Sequence, residues 1–302
     1  MLPEELTAWI GEVLPGRRIE RTRTLRGGFR NHNLQLVTDD GEQYVLRRFT
    51  HRNTCGVEAA LAVRLAGTVP VAEVVAADPD GTAAGQPVLL SRFVPGVLLS
   101  DVLPTADDES AERLGRAVGA ALAGIGTVDF PSPGFFTGPD LVPDGTEPTA
   151  ELPAFIERCL RGGDVPLTLA EQDALIRHAE RQVPLLTRVS GSHGLVHSDF
   201  NPKNLLVRGD GSVSAVLDWE FAFASSPLFD VGNMLRFQEE HPPAFRAGFI
   251  ASFADAGGEL PDGWYEISRA LDLFALADFL TRPADDPFFG KAVALLRHRL
   301  RT

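Results

Sequence analysis

Thirteen consecutive residues carry the first chemical signal: Leu195-Val196-His197-Ser198-Asp199-Phe200-Asn201-Pro202-Lys203-Asn204-Leu205-Leu206-Val207. Two apolar segments frame a polar turn with the pattern H-x-D-x-x-x-x-N. Fourteen residues beyond Asn204, the apolar run Val213-Ser214-Ala215-Val216-Leu217 delivers a second carboxylate, Asp218. Strand-like runs ending in neighbouring loops would set a carboxylate, an amide and another carboxylate side by side. Phosphoryl transfer from a nucleotide needs such a set: one carboxylate orients the attacking hydroxyl, while amide and carboxylate oxygens hold the magnesium that bridges the phosphates. The competing explanation is a polar β-turn, with Asn201-Pro202 as turn chemistry and His197 as a core histidine. A strand on each side of the turn and a third strand ending in Asp favour catalysis, because they specify a structure as well as letters.

The elements that must position these residues fall into two groups. Residues 3–14 have helical spacing. Strands are expected over 22–26 and 33–37, joined through Gly27-Gly28, and the turn Asp39-Asp40-Gly41 leads into a returning strand over 43–49. Residues 57–66 read as a helix, and 69–77 and 87–94 as two more strands about the turn Asp78-Pro79-Asp80-Gly81. After Pro95-Gly96 the spacing becomes helical, which divides the chain into 1–95 and 96–302. Thr105 with Asp108 suggests a capping box for a helix through Leu114, Val118, Leu122 and Ile125. Residues 131–168 read as loops around a short helix over 152–160. A helix over 169–186 precedes the catalytic turn, and further helices follow Leu228. The expected class is α+β.

Composition bounds the function. With 302 residues, 44% of them hydrophobic, the chain can bury a real core. Cys55 and Cys159 lack metal-type spacing, so a reducing cytoplasm is the expected compartment, and neither is a convincing nucleophile. The N-terminus lacks the pattern of a signal peptide, and the apolar stretch 270–280 is broken by Asp272 and Asp278, which argues against a membrane span. The net charge is −13. Residues 1–95 balance 11 Lys/Arg against 11 Asp/Glu, so all the excess negative charge follows residue 95. That distribution argues against nucleic acid and suggests either a cationic small substrate or a solvated acidic surface.

A β-rich first part with a glycine-bearing hairpin, a basic third strand and a helix just after it, then a helical part holding H-x-D-x-x-x-x-N and a strand-end Asp, resembles the protein-kinase fold in two lobes. Within it the chain is similar to the aminoglycoside phosphotransferase and choline kinase group, most of all at 195–207 and in Val216-Leu217-Asp218-Trp219-Glu220. The resemblance implies an ATP-dependent kinase, with GTP as a possible donor, of a small hydroxyl-bearing molecule. It implies Asp199 as catalytic base or hydroxyl-orienting carboxylate, Asn204 and Asp218 as magnesium ligands, and His197 as a structural residue of the loop. Glu58 would pair with Arg47, and Gly27 and Gly28 would let the hairpin approach the phosphates. The segment 90–94, with Leu90, Ser91 and Phe93, would be the hinge that receives the base, and Asp230 would brace the catalytic loop.

This chain departs from the family pattern in four places. Arg47 stands where Lys is usual, a planar fork in place of a compact point charge. Asn201 stands where relatives carry Lys or His, with Lys203 as a substitute positive charge. Ser225-Ser226 replaces the usual Gly-Asp, and the glycine hairpin is not G-x-G-x-x-G. The acidic C-terminal part suggests Glu220, Glu239, Glu240, Asp272 and Asp278 as carboxylates for a cationic acceptor, first of all a polyamine antibiotic. The alternatives are a metabolite kinase for choline-like, sugar or amino-alcohol substrates, and a non-catalytic scaffold that binds nucleotide. The chain is expected to act as a monomer or homodimer.

Overall fold

The structure, a computed structural model, describes residues 2–25, 31–161, 165–283, 285–286 and 288–301. Gly27 and Gly28 lie outside the described residues. Helix α1 (Glu4–Val13) opens the chain, followed by strands β1 (Ile19–Thr24), β2 (Asn31–Thr38) and β3 (Gln43–Phe49), helix α2 (Cys55–Leu65), and strands β4 (Val74–Asp78) and β5 (Val88–Arg92). The strands form one antiparallel sheet in the order β1-β2-β3-β5-β4. Alternation sets its two faces. Tyr44 and Leu46 of β3 pack with Leu36, Val88 and Leu90 under Leu6, Trp9 and Ile10 of α1. Phe49 and Leu89 face the other way, against Cys55 at the start of α2. Arg47 shares that second side, whereas Arg48 reaches Gln86 (3.0 Å).

The remainder is mainly helical. Strand β6 (Val97–Leu98) and the short α3 (Leu99–Val102) lead to α4 (Asp108–Gly126), β7 (Gly134–Phe135), α5 (Leu152–Arg161) and α6 (Leu169–Leu186). Strands β8 (Gly194–Val196), β9 (Leu205–Val207), β10 (Val213–Val216) and β11 (Phe223–Ser225) surround the turn that carries Asp199. Helices α7 (Leu228–Leu235), α8 (Pro243–Asp255), α9 (Trp264–Phe279) and α10 (Phe289–Arg299) complete the chain. Helices α4 and α8 approach closely because Gly115 and Gly119 carry no side chain. A Cβ there would stand 2.2 Å from the Phe245 and Phe249 carbonyl oxygens.

Two local expectations change. The cap of α4 is Asp107, whose carboxylate accepts from the Ser110 N–H (2.8 Å); Thr105 lies in a 3-10 turn begun at Leu103-Pro104 and donates to Val102. The reciprocal capping box belongs to Thr168 and Glu171 at α6. Strand β4 starts at Val74, where its pairing with β5 begins, rather than at Val69. Among the described residues no helix is long and apolar enough to cross a membrane. Both cysteines are buried, and burial pushes their thiols up to about 12 at Cys55 and about 11 at Cys159, so neither is a ready thiolate.

Candidate active site

The catalytic turn is held in a strained shape by hydrogen bonds. Ser198 (φ 69°) and Asp218 (φ 65°) both adopt the left-handed region, at a cost on the order of 1–3 kcal/mol for each non-glycine residue. Asp230, fully buried in the first turn of α7, accepts the N–H groups of His197 (2.7 Å) and Ser198 (2.8 Å) and so fixes the first bend. The second bend is tied to the first. The His197 ring spans Leu217 O (2.8 Å) and the Asp199 N–H (3.2 Å), and the Leu217 N–H donates to Asn204 O (2.8 Å). These partners assign the proton to Nε2, with Nδ1 as acceptor. Burial lowers the His197 pKa, in keeping with a neutral ring.

Asp199 is positioned by two amides. Asn201 Nδ2 donates to its Oδ1 and Asn204 Nδ2 to its Oδ2, both at 2.8 Å. Each carboxylate oxygen keeps a lone pair for a substrate hydroxyl. Burial pushes the Asp199 carboxyl above its ordinary range, while Arg236 and Asn204 pull it back. In the sequence, Asn201 is visible only as a departure from the family pattern. The structure makes it a positioning residue for Asp199.

Arg47 reaches across the cleft. Its guanidinium meets Asp218 Oδ1 at 2.6 Å, Glu58 Oε2 at 3.2 Å and Glu220 Oε2 at 3.3 Å, and Asn31 also donates to Glu220 (2.7 Å). Three carboxylates around one guanidinium leave an excess of negative charge. Burial accordingly pushes the Glu58 carboxyl from an ordinary 4.5 up to about 7, against the pull of Arg47 and the Thr54 hydroxyl. Burial also raises Asp230 to about 7, against its two N–H donors. Each of these two groups then holds in the folded chain a proton that the unfolded chain has released, so its contribution to stability falls as pH rises from about 4 to about 7. Burial lowers His178, His197 and His241, whose contributions rise with pH and oppose that decline. Thermal melts of the nucleotide-free protein beside Glu58→Gln isolate the Glu58 share: the melting temperature of the parent relative to the variant is expected to fall as pH rises through the window. A difference that grew with pH would mean that the partners of Glu58 win over burial.

These groups line one cleft of about 840 Å³, reached from both the sheet and the helices. Asp199, Asn204, Asp218, Arg47, Glu58, Glu220 and Lys203 all lie on its wall, as do Ser91 and Phe93. Leu90 does not. It is fully buried in mid-strand, its residue paired with Leu46 on one side and Ala76 on the other, so the part of the expected hinge that faces the cleft begins at Ser91. Phe93 lines the cleft, with its N–H donated to Gln43 O (3.0 Å).

The expected acceptor carboxylates are mostly elsewhere. Asp272 is fully buried and bonded to Arg236 (2.7 Å) and Arg299 (2.9 Å), so it cannot meet a substrate. Asp278 pairs with Arg282 (3.5 Å), and neither it nor the exposed Glu239 lines the cleft. Glu220 is engaged by Arg47 and Asn31. Glu240 does line the cleft, paired with Lys291 (2.7 Å). The alternating charges of α7–α10 gave no sign of which would turn inward. Sequence reasoning missed Arg236, Arg282, Lys291 and the half-buried His241, all on the cleft wall.

The donor set fits magnesium. Among the described residues no three His, Cys, Asp or Glu side chains gather to hold a metal on their own. Magnesium in phosphoryl-transfer sites is instead held by one or two protein oxygens together with water and phosphate. Asn204 turns its Nδ2 to Asp199, and among the described residues its Oδ1 has no hydrogen bond; Asp218 gives Oδ1 to Arg47. A hard oxygen therefore remains on each loop.

An N-terminal antiparallel sheet and a helical C-terminal part with this loop pair define an α+β, protein-kinase-like phosphotransferase fold. The phosphotransferase enzyme family APH matches residues 21–266, and the chain belongs to that family. No curated protein matches the sequence significantly. Solved structures that share the fold include the following three. One is a thermostable mutant of the aminoglycoside phosphotransferase APH(4)-Ia with ADP and hygromycin B, at 18% identity over 98% of this chain and 97% of that one, TM-score 0.75. The second is APH(2")-IIia with GDP and kanamycin, at 18% identity over 97% of each chain, TM-score 0.68. The third is a candidate fructosamine-3-kinase from Thermobifida fusca, at 20% identity over 98% and 99%, TM-score 0.67.

Proposed function

We propose that the protein transfers the terminal phosphoryl group of a nucleoside triphosphate to a hydroxyl of a small molecule. The observation that carries this is the convergence of Asp199, Asn204 and Asp218 on one cleft wall with Arg47 opposite. Asp199 accepts the hydrogen bond of the acceptor hydroxyl and aims its oxygen at the phosphorus. In a loose transition state this alignment matters more than early removal of the proton. The proton passes to Asp199 as the new O–P bond forms and the bond to the leaving phosphate breaks. Asn204 and Asp218 would hold magnesium, which supplies charge neutralisation on the phosphates when bound. Arg47 adds a fixed positive charge at the same end, and Ser91 to Val94 offer the groups that receive the base.

ATP and GTP both suit this arrangement, since relatives of the same fold hold ADP in one case and GDP in another. The aminoglycosides in two of those relatives make a polyamine antibiotic one acceptor class to test, and sugar or amino-alcohol metabolites a second. The scaffold reading has less support, because Asp199, Asn204 and Asp218 all line the cleft together, a set that binding alone does not require. The test is magnesium-dependent ADP release, with Asp218→Ala as the decisive variant. Nucleotide binding in that variant is expected to lose most of its response to magnesium. Binding that responded as strongly as in the parent would remove Asp218 from the metal site.

A further inference from the structure

The wall of the cleft beyond Asp199 carries cations and aromatic rings. Lys203, Arg236, Arg282 and Lys291 line it, against the carboxylates of Asp199 and Glu240. The carboxylates that balance the two arginines stand off the wall. Asp272 lies fully buried behind Arg236, and Asp278 and Asp286 hold Arg282 from the side at 3.5 and 3.6 Å. The buried cluster has one carboxylate, Asp272, shared by two guanidiniums, Arg236 and Arg299. The guanidiniums there outnumber that carboxylate by one, and Arg236 is the member that reaches the cleft, where Asp199 is the carboxylate it acts on. Removing such a charge from water is costly unless something anionic meets it. Arg236 is buried, and among the described residues its Nη1 has no partner.

The cations rest on phenyl rings: Lys203 Nζ stands 3.1 Å from the Phe288 centroid, Arg282 4.1 Å from Phe279 and Lys291 5.4 Å from Phe237. A polycation entering here would meet like charge and would compete with the protein's own cations for the rings. We propose that the acceptor is a hydroxyl compound carrying a carboxylate or phosphate, whose anionic group is received by Lys203, Arg236, Arg282 and Lys291. Its carbon frame lies against Phe237, Phe279 and Phe288, and its hydroxyl reaches Asp199. The surplus of acidic residues after residue 95 is then a property of the outer surface, not of this cleft.

The inference rests on the phosphotransferase reading, and one experiment separates the two. Magnesium-ATP binding is measured first, then ADP release with gluconate, glycerophosphate and phenyllactate as anionic acceptors, sorbitol as a neutral one, and choline and kanamycin as cations. The anionic compounds are expected to give the highest kcat/KM. Arg282→Gln and Lys291→Gln should each raise the KM of the best anion roughly tenfold with little change in kcat, the pattern of lost ground-state binding. Nucleotide affinity, which a folding defect would lower, should stay level in both. Choline or kanamycin exceeding every anion overturns the inference and leaves the phosphotransferase reading standing, and so does failure of the anions to stimulate ADP release. Absence of magnesium-ATP binding overturns both.

Discussion

Asp199→Asn is expected to lower turnover by about 10²-fold or more, the scale at which a positioned acid–base group contributes, with nucleotide affinity nearly intact. The change removes the anion while keeping the shape. Asn201 and Asn204 each donate an amide N–H to an Asp199 oxygen, and one of them would then face an NH₂ group of the new side chain. The reacting hydroxyl loses its acceptor, and the turn loses one of the two hydrogen bonds donated by amide side chains. Because His197, Leu217 and Asp230 fix the turn independently of the Asp199 carboxylate, the loop should keep its path. Single-turnover measurements at saturating nucleotide distinguish the chemical step from binding. An unchanged chemical rate would take Asp199 out of the reaction.

Legibility in the sequence followed the range of the interactions. The hairpin of β2 and β3, helix α6 and the strand-turn-strand around Asp199 are encoded by period and turn chemistry within a few residues, and they stand where that local pattern puts them. That Arg47 faces the cleft while Arg48 shares the α1 side with Tyr44 and Leu46 is likewise a local fact, fixed by strand alternation. The acceptor end is different. Its wall draws on the catalytic turn, α7, the end of α9 and α10, and whether a charge there faces the cleft depends on helix packing between residues far apart in sequence. Asp272 shows the limit. The acidic excess after residue 95 suggests it as a carboxylate for a cationic acceptor, and its apolar neighbours Leu271 and Leu273 carry no sign of a buried partner. Only the approach of Arg236 and Arg299, 36 and 27 residues away, makes its burial tolerable. The net charge says little about the acceptor for the same reason, since a sum over the chain does not record which carboxylates are already paired.

Asp272→Ala is therefore expected to act on stability, not on acceptor affinity alone. The carboxylate is fully buried and takes Arg236 at 2.8 Å and 2.7 Å and Arg299 at 2.9 Å. Deleting it leaves two guanidiniums facing each other in the core, and breaking a buried pair in this way typically costs about 3–5 kcal/mol. With three groups in the cluster the variant stands at the upper end of that range, enough to unfold a marginally stable domain at physiological temperature. Asp272→Asn keeps the volume and one acceptor oxygen but not the charge, and should lose less. Arg299→Met in the Asp272→Ala background removes one of the stranded charges and should recover part of the loss, which a surface substrate carboxylate would not do. Denaturant unfolding with the slope held constant measures each term. If Asp272→Ala left the unfolding midpoint unchanged and only weakened acceptor binding, the carboxylate would belong to the substrate site and would receive a cationic group of the acceptor.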